Sequence, residues 1–384
     1  MPFPTSWCEI DRIALSHNLG VFAGLVGGPE RLLPVVKANA YGHGLLPVTE
    51  VLVAGGVQRV GVNEIDEGLA LRARWPELGV VVLGHVPDEG LPEAVRAGLD
   101  LVVYRDDVLL QLARAADAQG TRARVHLKAE TGTNRQGLEP DGLLHLARLA
   151  ASLPSVSLEG LSTHFADIED TTDDRYAREQ LARFHQAADL LAAHGVRPRL
   201  LHCANTAATL NMPETHHDLA RVGIGLYGLW PSQETYIASL LKGTAAELRP
   251  VLSWKTLIAQ VKDVPAGAYL GYGRTFRATS NLRVAVLPIG YYDGYDRGLS
   301  NQAHVLIRGH RAPVRGRICM NMTLVDVTHV PGVSEHDQVV LLGASGDERV
   351  RAEDLAAICG TIHYEITTRI SERIPRRLVG GATC

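Results

Sequence analysis

Two rhythms of apolar and polar positions alternate along the first part of the chain. Short apolar runs predict buried strands at Leu32–Lys37, Arg59–Asn63, Val80–Gly84, Leu101–Tyr104, Ala123–Lys128, Leu158–Thr163, Leu200–Cys203 and Leu219–Ile224. Between them, apolar positions three and four apart predict helices at Ile65–Arg74, Leu91–Ala97, Asp107–Ala118, Asp141–Ala151 and Tyr176–His194. Trp7–Ile10 reads as a further short strand, and Asp11 can cap a helix carrying Ile13, Leu19, Phe22 and Leu25. Strand and helix alternating in this way predict a (β/α)8 TIM barrel. An open doubly wound sheet accommodates so many consecutive units less well.

The rhythm stops near Trp230-Pro231-Ser232-Gln233, and Pro231 to Pro250 reads as a linker. Beyond it, strands are predicted at Leu252–Val261, Leu282–Ile289, His304–Ile307, Thr323–Val327 and Gln338–Leu342, with one helix at Ala352–Cys359. The expected organisation is α/β: a barrel over 11–238, then a mostly-β C-terminal domain over 239–384 that the N-terminal strand 1–10 joins.

Composition narrows the class. A length of 384 residues fits two domains, and 46% hydrophobic with 21% charged residues supplies a large core. The formal net charge of -4 gives no argument for nucleic acid or an anionic membrane as partner. No apolar run approaches the ~18 residues that span a bilayer. The N-terminus, Met1-Pro2-Phe3-Pro4-Thr5-Ser6-Trp7, has neither a basic region nor an apolar signal core, so a cytoplasmic protein is expected. Cys8, Cys203, Cys319, Cys359 and Cys384 are odd in number and lack CxxC spacing. They argue against a disulfide framework and a structural zinc site.

The chemistry starts at Lys37, where a buried strand ends on an ammonium and a loop with Gly42 and Gly44 follows. Lysine is rare here, occurring only as Lys37, Lys128, Lys242, Lys255 and Lys262. Arginine supplies the other positive charges, and only lysine can become a neutral amine and form an imine. The plain reading of a strand-end lysine is a side chain that snorkels to water. Against it stands the company Lys37 keeps. Asn63, His85, Tyr104, Lys128, His164, Asn205 and Arg221 lie at the carboxyl ends of the other predicted strands, the face on which barrel enzymes build their sites. After the last strand, Arg221-Val222-Gly223-Ile224-Gly225-Leu226-Tyr227-Gly228 allows close backbone approach to a phosphate. An imine-capable lysine across the rim from a phosphate loop points to pyridoxal 5′-phosphate.

With these motifs the chain resembles the bacterial alanine racemases, fold-type III pyridoxal-phosphate enzymes, over nearly its whole length. The resemblance rests on Val36-Lys37-Ala38-Asn39-Ala40-Tyr41-Gly42-His43-Gly44, Thr131-Gly132-Thr133-Asn134-Arg135, Ser162-Thr163-His164-Phe165, His202-Cys203-Ala204-Asn205-Thr206, Arg221-Val222-Gly223-Ile224, Gly271-Tyr272-Gly273, Pro288-Ile289-Gly290-Tyr291-Tyr292-Asp293-Gly294, Arg317-Ile318-Cys319-Met320 and Tyr364-Glu365. It implies a cytoplasmic homodimer with active sites shared between subunits, making D-alanine for peptidoglycan. Lys37 then holds the cofactor as a Schiff base and serves as one catalytic base, and Tyr272 of the partner serves as the other. Arg221 faces the pyridine nitrogen, with His202 behind it, and His164 links it to Tyr272. Tyr41, Tyr364, Thr206, Gly223 and Ile224, beside Asn205, hold the phosphate. Arg135 and the Met320 backbone receive the substrate, while Lys128, Tyr291 and Asn321 shape the surroundings. Asn321 stands where the family often has Asp; Glu130, Thr133, Asn134 and His363 are further departures, and together they bear on the surroundings of Arg135 and on substrate range.

Other readings stay open at this point. Lys128 could pair with Glu130, or be carbamylated so as to orient Arg135, or bridge two metals as a carbamate. The last would make the protein a metal-dependent barrel hydrolase using His85, Lys128, His164 and His202, although Lys37 and Arg221 are poor neighbours for a metal. A non-catalytic cofactor-binding barrel and a broader-range racemase of the same fold are the remaining alternatives.

Overall fold

A computed structural model describes residues 4–381. Met1, Pro2 and Phe3, part of the stretch read for a leader, and Cys384 lie outside the described residues. The chain forms two compact units: one takes in 14–40 and 48–250, the other the chain up to Ile13, Tyr41–Pro47 and everything from Val251 onward.

In the first unit, strands Arg59–Val62, Gly79–Val82, Asp100–Val103, Ala123–Lys128, Val156–Ser162 and Leu200–His202 lie side by side in sequence order, all parallel. Two less regular segments close the barrel. Leu33 and Val35 donate their N–H groups to Ala220 and Val222 at 2.8 Å, and Val36 donates to Gly61 at 2.8 Å. On the far side Asp218 donates to Leu201 at 3.1 Å and Arg221 to Ala204 at 3.0 Å. The expected strands Leu32–Lys37 and Leu219–Ile224 are thus single bridges rather than ladders. Pro34 has no N–H to give, and a 3₁₀ turn already starts at Ile224.

Leu33, Val81, Val102 and Leu219 form an inner apolar layer, with Leu83, Tyr104 and Leu200 packed on it. Each such side chain contributes about 1.5–3 kcal/mol on full burial. Outside run the helices Ile65–Arg74, Asp106–Gln119, Pro140–Ser152 and Arg175–Ala193. Asp106–Gln119 shows why they sit there: acidic Asp106 and Asp107 favour its N-terminal dipole, Leu109, Leu112, Ala113 and Ala116 make a buried stripe, and Gly120 at φ 63° ends it. The stretch read as a linker contains the helix Gln233–Leu241, started by Ser232, whose Oγ accepts from the Thr235 N–H at 2.9 Å. That helix runs across the expected boundary at 238/239, and the barrel unit continues to Pro250.

The second unit is built on a sheet ordered His310–Pro313, His304–Ile307, Gln338–Ser345, Leu252–Leu257, Ser6–Asp11, Arg376–Val379, with Glu348–Val350 on Gln338–Ser345. The N-terminal strand therefore completes the sheet of the C-terminal part. The single strand expected over Leu252–Val261 is two, Leu252–Leu257 and Gln260–Val264, in different sheets. Thr323–Asp326, Leu282–Leu287 and Gln260–Val264 make a three-stranded sheet. Among the described residues no helix is long and apolar enough to cross a membrane.

Candidate active site

Arg221 is the most completely held group at the barrel's carboxyl-end rim. It is 7% exposed. Nη1 donates to the His202 carbonyl at 2.6 Å and to His202 Nδ1 at 2.9 Å. Nη2 donates to the carbonyls of Thr163 at 2.6 Å and Cys203 at 3.0 Å, and faces His164 Nδ1 at 3.3 Å. Burial pulls its pKa down to about 10, which still leaves it charged at neutral pH. Burial first, and then the Arg221 charge, hold both His164 and His202 well below the usual imidazole range. Both rings are therefore neutral acceptors at Nδ1, which assigns their protons to Nε2. His202 Nε2 is engaged by His126 Nδ1 at 3.0 Å. With both ring nitrogens in use, His202 has none left for a metal, which removes one ligand of the hydrolase reading.

Lys37 follows directly on the buried Val35-Val36 pair. Beyond it, Ala38, Asn39, Ala40 and Tyr41 have φ of 54°, 53°, 54° and 52°. This left-handed turn, made without glycine, costs about 1–2 kcal/mol per residue. It is over-determined by its surroundings: the Ala40 N–H returns to the Val36 carbonyl at 2.8 Å, and the Asn39 N–H reaches Glu67 Oε1 at 3.1 Å. The other Glu67 oxygen takes the Asn63 N–H at 3.0 Å. Strain of this kind is kept where a side chain must be aimed. Burial, and then the charge of Arg135, lower the Lys37 pKa, with Glu67 and Glu169 opposing. The amine is easier to deprotonate than a free lysine, as imine chemistry needs.

Beside this segment lie two turns that fit a phosphate. Asn205 caps the helix Thr206–Asn211 by accepting the Ala208 N–H at 2.9 Å, and its amide donates to Glu169 at 2.9 Å. Gly223 gives its N–H to Thr206 Oγ1 at 3.0 Å. The N–H groups of Thr206 and Ile224 sit on buried residues and have no acceptor among the described residues. Gly225 keeps the two turns close, since a Cβ there would stand 2.5 Å from Thr206 Cγ2 and 2.6 Å from Phe22 Cζ. Orphaned buried donors need an acceptor. A phosphate supplies one, so this part of the chain fits pyridoxal phosphate: donors for the phosphate, a lysine for the aldehyde, a donor-only guanidinium for the ring nitrogen.

Lys128 ends the strand Ala123–Lys128, with Nζ 3.4 Å from Gln136 Oε1. Burial, then Arg221 and Arg135, bring its pKa down to about 8. Glu130 does not pair with it; Oε1 accepts the Gly132 N–H at 2.6 Å and so shapes the turn before the exposed Arg135. His85 is exposed on its loop, away from any of these contacts.

The second unit carries the other candidates. Tyr41 and Tyr364 are brought together, with ring centroids 6.1 Å apart. Gly42 makes this possible, because a Cβ there would lie 1.9 Å from the Thr367 carbonyl of the helix His363–Thr368. Tyr272 stands in a 3₁₀ turn between Gly271 and Gly273 and is 73% exposed. Met320 and Tyr291 are exposed on paired loops: Tyr291 and Tyr292 donate to the carbonyls of Cys319 at 3.1 Å and Met320 at 3.0 Å. Asn321 is exposed next to Met320. The residues missed in the sequence are His126, Asp100 and Arg124, which stand behind His202. The only signal was the polar alternation Arg124, His126, Lys128 within a buried strand.

The chain is similar to known proteins along both of its units. Residues 10–231 match the family model "Alanine racemase, N-terminal domain" and residues 251–378 match "Alanine racemase, C-terminal domain". An alanine racemase of Syntrophobacter fumaroxidans is 44% identical over 94% of this chain and 94% of its own length. The crystal structure of an alanine racemase from a D-cycloserine-producing Streptomyces lavendulae superposes with a TM-score of 0.90 at 34% identity, covering 99% of this chain and 98% of that one. A Bartonella henselae alanine racemase with covalently bound pyridoxal phosphate superposes with a TM-score of 0.84 at 25% identity, covering 98% of this chain and 100% of that one.

Proposed function

Because the chain belongs to the alanine racemase family, we infer that it interconverts L- and D-alanine with pyridoxal 5′-phosphate. The observation that carries this reading is the buried Arg221, charged and wedged between two neutral imidazoles. A guanidinium donates and accepts nothing. Facing it, a pyridine nitrogen stays unprotonated, which favours racemisation over transamination.

When bound, the cofactor supplies a conjugated ring that withdraws the electrons released at the substrate Cα. The protein's own groups do the rest. The Lys37 amine takes or returns a proton on one face of Cα, and the Tyr272 phenol oxygen does so on the other. Tyr272 reaches the site from a second copy of the chain in a homodimer. His164, with its proton on Nε2, would donate toward that phenol oxygen and so stabilise negative charge there. Arg135 and the Met320 N–H hold the substrate carboxylate. Thr206, Gly223 and Ile224, with Tyr41 and Tyr364, hold the phosphate beside Asn205. His202, Lys128, Tyr291 and Asn321 support these groups. Such an activity in the cytoplasm supplies D-alanine for peptidoglycan.

The test is direct. The protein, incubated with L-alanine and pyridoxal phosphate, should bring the enantiomers to equal amounts by chiral chromatography. Unchanged L-alanine, with the cofactor bound, would overturn the reading.

A further inference from the structure

The inside of a barrel is ordinarily packed with branched apolar side chains. Here a continuous polar chain crosses it. Arg221 Nη1 lies 2.9 Å from His202 Nδ1, and His202 Nε2 lies 3.0 Å from His126 Nδ1. His126 Nε2 lies 3.3 Å from Asp100 Oδ2. Arg124 closes the outer end with Nε at 2.5 Å from Asp100 Oδ1 and Nη2 at 3.2 Å from Oδ2. Both imidazoles are fully buried and Asp100 is 4% exposed. Asp100 shares its strand face with Val102 and Tyr104, and His202 shares its face with Leu200, all members of the inner layer. The backbone makes room for the chain: Val125 pairs with Leu158 but His126 pairs with Gly160, a bulge, and a Cβ on Gly160 would stand 2.1 Å from His126 Nδ1.

The proton positions in this chain are determined. Arg221 can only donate, so His202 must accept at Nδ1 and carry its proton on Nε2. His126 must then accept at Nδ1, which puts its own proton on Nε2, aimed at the Asp100 carboxylate. From Arg221 to Asp100 every hydrogen bond points the same way, and Arg124 donates to Asp100 from the outer end. One reversed ring would set an N–H against an N–H inside the barrel, where an unmade polar contact is most costly.

We propose that Asp100 and His126 are positioning residues that, through His202, lock Arg221 in the orientation the racemase needs. Arg221 sets the direction of the chain, and Asp100 completes it, because an ionised carboxylate accepts from His126 and never donates back. The proposal rests on the racemase reading of the preceding subsection. It assigns no contact with cofactor or substrate to Asp100 or His126.

The test uses the holoenzyme and three variants. His126→Gln can still accept from His202 and donate to Asp100; His126→Leu can do neither; Asp100→Asn can turn either its oxygen or its N–H toward His126 and so no longer guarantees an acceptor at that end. The first readout is the tautomers of His126 and His202 by ¹⁵N NMR on histidine-labelled holoenzyme, both expected as Nε2–H. The second is the partition between racemisation and half-transamination, in which alanine and the aldehyde cofactor become pyruvate and the amine cofactor with no other reactant. This ratio does not depend on how much of a variant folds. His126→Leu and Asp100→Asn should raise transamination relative to racemisation by roughly tenfold, about one decade in rate, and His126→Gln should stay near the unaltered enzyme. A proton on Nδ1 of either ring, or an unchanged ratio in both His126→Leu and Asp100→Asn, would overturn the proposal. Should His126→Leu fail to fold, Asp100→Asn decides. A wild-type protein that binds the cofactor yet does not racemise alanine would sink the activity instead, while the tautomer measurement would still judge the chain.

Discussion

Arg221 is 7% exposed, and both of its terminal nitrogens have at least two acceptors within the barrel unit. Tyr272, in the other unit, is 73% exposed, and Tyr269, Tyr291, Tyr292, Met320 and Met322 around the same loops are exposed as well. Arg221 has its terminal nitrogens satisfied within its own unit; Tyr272 and its neighbours are displayed. Fixed orientation is what a charge proposed to face a ring nitrogen requires, and the contacts of its two terminal nitrogens supply it. Clustered exposed aromatic and methionine side chains are characteristic of surfaces that a partner covers. The contrast supports a division of labour in which the barrel pre-orients its half of the site and a second copy delivers the other half.

The largest expected effect would break that division if it failed. Lys37→Ala and Tyr272→Phe should each lower kcat by roughly 10³-fold or more, as for loss of an essential acid–base group. Chiral chromatography of product measures this. Absorbance should show cofactor retained as in the wild type only in Tyr272→Phe. A Tyr272→Phe enzyme within tenfold of wild type would remove Tyr272 from the chemistry.

Stability sharpens the same contrast. Arg221→Leu strands the carbonyls of Thr163, His202 and Cys203 and two imidazole nitrogens. It should destabilise the chain by about 2–5 kcal/mol, whereas Tyr272→Phe should change stability by about 0.5 kcal/mol or less. Urea titration of both variants tests this; equal losses would mean that exposure and satisfaction do not separate the two regions.

The sequence carried the regular parts of this architecture well. Ile65–Arg74, Ala123–Lys128, His304–Ile307 and Ala352–Cys359 have the bounds that their periodicity predicts. It failed where long-range context overrides local pattern. Ala38 to Tyr41 adopt a left-handed turn that no propensity favours, because Glu67, distant in sequence, holds it. Gln233–Leu241 was hidden between two prolines that suggested a linker. The short helix Thr206–Asn211 is buried throughout and so shows no amphipathic stripe. At the site, Lys37 and Arg221 were legible from residue type and place. The chain from Asp100 through His126 to His202 was not, because its members sit on three different strands that only the register of the parallel sheet brings together.

Substrate size is the next measure. Tyr364 and Tyr291 are bulky and lie in the family motifs expected around the substrate. Alanine should therefore exceed leucine in kcat/KM by on the order of 100-fold, the scale of a steric pocket's discrimination. Comparable values would transfer the protein to the broader-range racemases.

The smallest expected effect concerns Lys128. Its pKa near 8 leaves a growing share of neutral amine as pH rises through that value. A neutral amine can add carbon dioxide, releasing a proton, and the resulting carbamate anion would attract Arg135 where an ammonium repels it. Carbamate, seen by ¹³C NMR with labelled bicarbonate, should increase from pH 7 to pH 9. Degassing at pH 8 should raise KM for alanine by about threefold, a fraction of a pKa unit in energy. Absence of a carbamate signal at pH 9 would leave Lys128 as a bare amine that meets Gln136.

The shared site is tested most directly by mixing the two dead variants. Lys37→Ala and Tyr272→Phe, co-expressed with different tags and purified as heterodimers, give one site with both lesions and one with neither. These heterodimers should regain about half the wild-type activity per dimer, the share of one intact site out of two, whereas each homodimer stays at least roughly 10³-fold down. Heterodimers that remain folded, dimeric and loaded with cofactor but inactive would contradict it, and the second base would then have to come from the same chain as Lys37.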